Sequence, residues 1–269
     1  MSLRDTVRHR LDPAERYGLR LTLFAVAFLL VAMPFGWLVS QVNGHNRLVD
    51  VDTAGLQRLH DWVRGSPGTV RALKLLTDVG SPIWLWLVGI VAVAVLLRAG
   101  RTRLAVFLAV TAIVGSLLDT AVKLAVDRPR PVLLDPVASA RGKSFPSGHS
   151  MSSTVMYGAL LLIFLPAVSR RWRPVVIAAV VGLVLAIGFS RLALGVHFLS
   201  DVVGGIVLGL AWLALSTAAF SIWRVERGRR PVRPTEGLEP EAAADLPGPT
   251  TATTPRRSPG GSSAEEFPT

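Results

Sequence analysis

Six apolar stretches constrain this chain more than any other feature: residues 21–39, 81–97, 104–122, 151–168, 174–189 and 202–223. A helix needs about 20 mostly apolar residues to cross the hydrocarbon core of a bilayer, and these runs meet or nearly meet that length. The fifth is short and contains Gly182 and Gly188, but its apolar run is otherwise unbroken. The expected fold class is all-α, an integral membrane bundle of six transmembrane helices. Composition agrees, because 51% of the 269 residues are hydrophobic and 17% are charged, against about 25% charged in soluble domains.

Charge sets the orientation, since short loops rich in Lys and Arg stay on the cytoplasmic side. Arg4, Arg8, Arg10, Arg16 and Arg20 precede the first stretch, and Arg98, Arg101 and Arg103 follow the second. Arg170, Arg171 and Arg173 follow the fourth, and Arg224, Arg227, Arg229, Arg230 and Arg233 follow the sixth. All four groups fall on one side of a six-span weave, so both termini are expected in the cytoplasm. A signal peptide is a poorer explanation of the first stretch: its apolar core is too long and no small-x-small cleavage site follows. Trp37, Trp84, Trp86, Trp172 and Trp223 lie near span ends, where amphipathic rings favour the interface.

The formal charge of +11 does not point to nucleic acid, because the basic residues sit in clusters between apolar runs rather than along one polar face. The absence of cysteine excludes disulfides, thiol nucleophiles and thiolate metal sites. Segment 42–80 carries Leu56, Leu59 and Val63, then Val70, Leu73 and Leu76, at helical spacing. This predicts one or two short amphipathic helices on the outer surface. Beyond Arg233 the chain is rich in Pro, Glu, Ala, Thr and Gly, a composition that predicts a disordered tail. The expected division is a cytoplasmic segment 1–17, a membrane domain 18–223 and a cytoplasmic tail 224–269.

Three polar stretches fall on the outer side of the weave. The third span runs out into KLAVDRPRPVL, where Lys123 and Arg130 are separated by six residues and Pro129 and Pro131 stop the helix. The fourth begins at SFPSGHSM, in which Ser147 or Ser150 suits an N-cap and Gly148 lets backbone N–H groups approach a ligand. A helix N-terminus with free amides is an anion site. The fifth span exits at Ser190 and Arg191, and His197 and Asp201 follow at i,i+4, on one helix face. All three carry phosphate-binding chemistry, so one composite pocket is expected.

In order and spacing, K-x6-RP at 123–131, PSGH at 146–149 and SR-x5-H-x3-D at 190–201 resemble the motifs of the type 2 phosphatidic acid phosphatase family. The six-span layout extends the resemblance to about residues 18–223. The resemblance implies a phosphatase that needs no metal or other cofactor and works through a phosphohistidine. It also implies a site similar to that of vanadium-dependent haloperoxidases, where vanadate occupies the phosphate position.

The residue types suit that chemistry. A neutral imidazole can attack phosphorus when a carboxylate fixes its tautomer, which makes His197 the candidate nucleophile and Asp201 its partner. His149, with an ordinary imidazole pKa of about 6.5, is the candidate acid for the departing oxygen. Lys123, Arg130, Arg191, the Ser147 hydroxyl and the Gly148 amide are candidate phosphate donors. Each piece alone has a plainer explanation. The cations can snorkel to head groups, and His197 with Asp201 can be a surface pair or a zinc fragment, although three nearby cations would repel zinc. Asp119 is placed to pair with Lys123 at i,i+4, and Arg128, Arg141 and Lys143 read as field or loop charge.

The expected substrate is a lipid phosphate or diphosphate at the outer leaflet of a plasma membrane. Phosphatidic acid, phosphatidylglycerol phosphate and a polyprenyl diphosphate remain open, with a tilt to the last. A lipid phosphotransferase using the same residues and a non-enzymatic lipid or anion transporter are the competing classes. Oligomeric state has no signature in the sequence.

Overall fold

The structure, a computed structural model, describes residues 35–36, 39–40, 47–133, 136–226 and 237–239. Among these all regular structure is helical, with no strand. In chain order the helices are α1 (Arg47–Arg64), α2 (Pro67–Asp78), α3 (Pro82–Arg98), α4 (Thr102–Val126), α5 (Gly148–Phe164), α6 (Arg173–Ala193) and α7 (Leu199–Glu226). A 3-10 turn, Leu165–Ala167, follows α5.

Among the described residues five stretches are long and apolar enough to cross a membrane: Pro67–Arg98, Thr102–Val126, Gly148–Ala167, Arg173–Ala193 and Leu199–Ser221. They take in the second to sixth expected spans. The first, 21–39, lies outside the described residues except at 35, 36 and 39. The N-terminal segment 1–17 lies wholly outside them, as does the tail except at 224–226 and 237–239. Ile83, Ile90, Leu117, Leu185 and Leu210 are each more than half exposed on the bundle exterior. A helix that is apolar on its outer face as well as its inner one is built for lipid.

Segment 42–80 forms two helices, α1 and α2. Serine caps followed by proline start α2 and α3: the Ser66 Oγ accepts from Thr69 N at 3.4 Å and the Ser81 Oγ from Trp84 N at 3.3 Å. Proline at the first helical position gives up an N–H that would have no partner there. The apolar stripe of α1 and α2, including Val63 and Leu73, packs on Ala193, Leu194 and Val196 at the end of α6.

Helix α5 is the centre of the bundle, packed by α3, α4, α6 and α7. Its tightest neighbour is α7, through glycines four residues apart. A Cβ on Gly205 would stand 2.6 Å from the Ser147 carbonyl oxygen, and one on Gly209 would stand 2.9 Å from the Thr154 Cβ. Small residues at such spacing let two helices in lipid approach closely, where packing rather than water expulsion holds them. Towards the far end of α5, Leu96, Leu104, Phe107, Leu108, Ile163 and Phe220 form a dry cluster that includes Leu238. The Leu238 N–H donates to the Leu162 carbonyl at 3.0 Å. At the opposite end, the connections 127–147 and 194–198 meet under α1 and α2, and the Phe35 ring packs on Phe145 with centroids 5.8 Å apart.

Candidate active site

The polar residues gather where the chain breaks its helices. Helix α4 ends as Asp127 turns into the left-handed region at φ 54°, because the residue before Pro129 is pushed out of helical geometry and cannot extend the turn. The released segment carries Arg128 and Arg130 inward. Helix α6 closes on Gly195, at φ 74°, where a Cβ would collide with the Leu133 side chain at 2.3 Å. That left-handed residue turns the chain so that His197 faces back to the bundle.

A cavity of about 310 Å³ lies between these breaks, and Lys123, Arg130, Gly148, His149, Arg191 and His197 all line it. Asp119, Arg141, Ser116 and Ser152 complete its polar wall. Six of the eight residues singled out from sequence therefore share one space. Asp201 stands directly behind, fully buried, and Ser147 does not reach the cavity. The Ser147 Oγ instead caps α5, accepting from Ser150 N at 3.5 Å and from the Ser150 Oγ at 3.1 Å. Its own N–H donates to the Asp201 carbonyl at 2.9 Å, which ties the PSGH turn to the start of α7.

His197 is 2% exposed and held at both ring nitrogens. Nδ1 lies 3.3 Å from Asp201 Oδ2, and Nε2 lies 3.0 Å from Arg130 Nη1. A guanidinium can only donate, so Nε2 is the acceptor and Nδ1 carries the proton. The bare lone pair thus belongs to the nitrogen beside the cavity cation. Burial pushes the His197 imidazole down to about 4; Asp201 pulls against this, while Arg130 and Arg191 reinforce it. The ring is neutral at physiological pH.

Arg130 is anchored by carbonyls. Its Nε donates to Gly142 at 3.1 Å, Nη1 to Val196 at 2.8 Å and Nη2 to Arg141 at 3.2 Å. Burial lowers its pKa, but the group remains a cation. Arg191 donates from Nη1 to the Thr77 Oγ1 at 3.0 Å, while its buried Nε finds no partner among the described residues. Lys123 Nζ rests on both Asp119 oxygens at 2.5 Å. Both side chains sit beside Gly148, where a Cβ would lie 3.1 Å from Nζ. Among the described residues no three His, Asp or Glu side chains group so as to hold a metal ion.

Behind His197, Asp201 accepts from Phe198 N at 2.9 Å, Arg128 Nη1 at 2.5 Å and the Ser144 Oγ. Asp52 of α1 accepts from Ser200 N at 3.2 Å, from the Ser200 Oγ and from Arg128 Nη2 at 3.3 Å. Arg128, expected as field or loop charge, is 4% exposed and faces carboxylates. Asp52, Thr77, Ser144 and Ser200 were not singled out from sequence. Two of them did leave a signal: Asp52 lies four residues before Leu56 and Thr77 four after Leu73, polar positions on the apolar stripes of α1 and α2.

The family model of the PAP2 superfamily matches residues 100–224, which hold all three motifs. The lipid A 1-phosphatase of Rhizobium etli is 30% identical over 176 residues, 56% of this chain and 72% of that protein. The chain belongs to the PAP2 superfamily. A PAP2 relative from Bacillus subtilis, phosphatidylglycerophosphatase B, is 42% identical over 97 residues, 35% of this chain. There the match spans about half, 47%, of the relative's length. A crystal structure of a transmembrane PAP2 type phosphatidylglycerolphosphate phosphatase from Bacillus subtilis shares the fold at a TM-score of 0.65. It has 24% identity and covers 76% of this chain and 98% of its own.

Proposed function

We propose that this PAP2 chain hydrolyses a phosphate ester or diphosphate carried by a membrane lipid, through a phosphohistidine at His197. The observation that carries this is the pairing at the two ring nitrogens: Nδ1 on Asp201 and an unprotonated Nε2 beside the cations of the cavity.

In the first step the Nε2 lone pair attacks phosphorus and the P–O bond to the lipid breaks, with His149 giving its proton to the departing oxygen. In the second, water attacks phosphorus and the P–N bond breaks, its electron pair returning to Nε2; His149 takes a proton from the water, and inorganic phosphate leaves with His197 neutral again. The imidazolium formed in between is stabilised by Asp201. Lys123, Arg130, Arg191 and the N-terminus of α5 are placed for the charge on the non-bridging oxygens. Arg130 exchanges its contact with Nε2 for a phosphoryl oxygen as the substrate seats, and Lys123 does the same with Asp119. The buried Ser147 hydroxyl serves this site as the cap that fixes the α5 N-terminus.

A lipid substrate is supported by a second, apolar pocket of about 360 Å³ that shares Trp86, Ala112 and Met156 with the catalytic cavity and continues between α3 and α4. A head group in the first leaves a chain free to follow the second. The named activities of the relatives, phosphatidylglycerophosphatase and lipid A 1-phosphatase, support the same substrate class. Within it we favour polyprenyl diphosphate.

The arginine clusters support a site on the outer side of a plasma membrane, with the stretch 21–39 as a sixth span and both termini inside. Because the chain has no cysteine, single cysteines report topology cleanly. An impermeant thiol reagent added to intact cells should label Val132→Cys and spare Arg171→Cys, and the reverse pattern would invert the assignment.

The activity itself is tested by phosphate release from polyprenyl diphosphate, phosphatidic acid and phosphatidylglycerol phosphate in detergent. His197→Ala and His149→Ala should each lower turnover by about a thousand-fold or more while the proteins remain folded. Near-normal turnover in either variant removes the role assigned to it. Failure of the unaltered protein to release phosphate from any of the three lipids removes the function.

A further inference from the structure

We propose that Asp52, acting through Arg128, positions and charges the Asp201–His197 pair, so that the short helix α1 is part of the catalytic apparatus and not only a connector. The inference rests on His197 being the nucleophile.

The geometry is a chain of buried charges reaching from α1 to the histidine. Asp52 is 6% exposed, Arg128 4% and Asp201 0%, and none of the three lines the cavity. Arg128 spans the two carboxylates, one nitrogen 3.3 Å from Asp52 and the other 2.5 Å from Asp201. Its plane is fixed by the Phe198 ring, 4.1 Å from the guanidinium carbon, and its Nη1 also donates to the Ser200 Oγ at 2.7 Å. Ser200, the residue before Asp201, is itself held by Asp52 through both its N–H and its hydroxyl.

Two consequences follow from this arrangement. Asp52 fixes the first turn of α7, and with it the direction of the Asp201 carboxylate towards Nδ1. It also sets the charge. Arg128 facing Asp201 alone would leave the pair neutral, and a neutral pair stabilises an imidazolium poorly. With Asp52 on its other side, the triad Asp52–Arg128–Asp201 keeps one net negative charge behind a ring that becomes cationic during turnover. In a buried setting that charge is weakly screened. A latch that merely tied α1 to the bundle would need no second carboxylate on Arg128, since Ser200 already offers Asp52 two donors.

The test separates charge from attachment. Asp52→Asn keeps the shape and an acceptor for Ser200 but makes the triad neutral, and Asp52→Asn with Arg128→Gln restores the net charge of minus one by leaving Asp201 alone. Turnover on the lipid that the unaltered protein hydrolyses fastest and thermal unfolding in detergent are measured for both variants, beside His197→Ala. Asp52→Asn should lower kcat about tenfold or more, as loss of a residue that orients a site group commonly does, with KM changed by less than about twofold because the cations that bind phosphate are untouched. The double variant should recover at least about threefold of that loss in kcat.

An unchanged kcat in Asp52→Asn overturns the proposal. So does a loss that the double variant deepens, which would mark a purely structural latch, and if Asp52→Asn does not fold the double variant alone decides, by a kcat within about tenfold of the unaltered chain or below it. An active His197→Ala variant would instead remove the reading beneath the proposal, whereas a dead His197→Ala with normal Asp52→Asn removes the proposal alone.

Discussion

The two sides of His197 are built differently. On the cavity side stand Lys123, Arg130 and Arg191, cations whose partners are neutral or exchangeable, and Arg191 keeps a buried nitrogen with no partner among the described residues. On the far side stand Asp201, Arg128, Asp52, Ser144 and Ser200, closed on one another by hydrogen bonds. A buried polar group left unsatisfied costs free energy, roughly 1–3 kcal/mol, and a charged group more. On the proposed function the cavity side therefore keeps donors for an incoming anion, while the far side is satisfied within itself. On that proposal the first is a receptor for charge, and the second is a mount.

The difference can be broken by experiment. The largest effect is expected from Arg191→Ala, which removes a donor from the cavity side: kcat/KM should fall by about a hundred-fold, the scale set by loss of one donor to a developing negative charge. A fall of only a few-fold, read from initial rates on the same lipid, would place Arg191 with the mount.

The second effect is one of pH. With burial holding the His197 imidazole near 4, Nε2 keeps its lone pair until the pH falls through that value, so the acid limb of kcat/KM due to His197 should lie near pH 4. The same ring refuses between about 6.5 and 4 a proton that the unfolded chain accepts, so folding stability should decline over that window as pH drops. A limb for His197 between 6 and 7 would mean a solvated ring and would erase the contrast between its two sides.

The smallest effect belongs to Thr77→Val, which leaves Arg191 charged but takes away the hydroxyl at 3.0 Å. A loss of about 0.5–1.5 kcal/mol in apparent substrate affinity, measured as KM, is the expected outcome. No change would show that Arg191 is aimed by packing alone.

The cavity side was legible in the sequence and the mount largely was not, for a physical reason. His197 and Asp201 sit one helical turn apart, and Lys123 and Arg130 flank one helix stop, so spacing alone relates them. The weave of apolar spans then brings the three motifs to one end of the bundle. Asp52 meets Ser200 across 148 positions and Thr77 meets Arg191 across 114, contacts that no periodicity encodes. Their one trace is a polar residue on an otherwise apolar helical stripe. Ser147 shows the converse: a motif residue with two expected uses, of which the geometry keeps the cap and buries the hydroxyl. The amphipathic character of α1 and α2 was plain, but not that one holds a carboxylate against the bundle and the other a hydroxyl against an arginine.

The bond from Arg130 to the Nε2 of His197 gives the idle protein a further property. On the proposed chemistry the reactive lone pair is sheathed by a cation that also repels protons, so a stray electrophile meets a guarded ring. An anion arriving at the cavity draws the guard away, and the substrate thus arms the group that attacks it. An acylating reagent that modifies histidines should find this ring slow to react while Arg130 holds it.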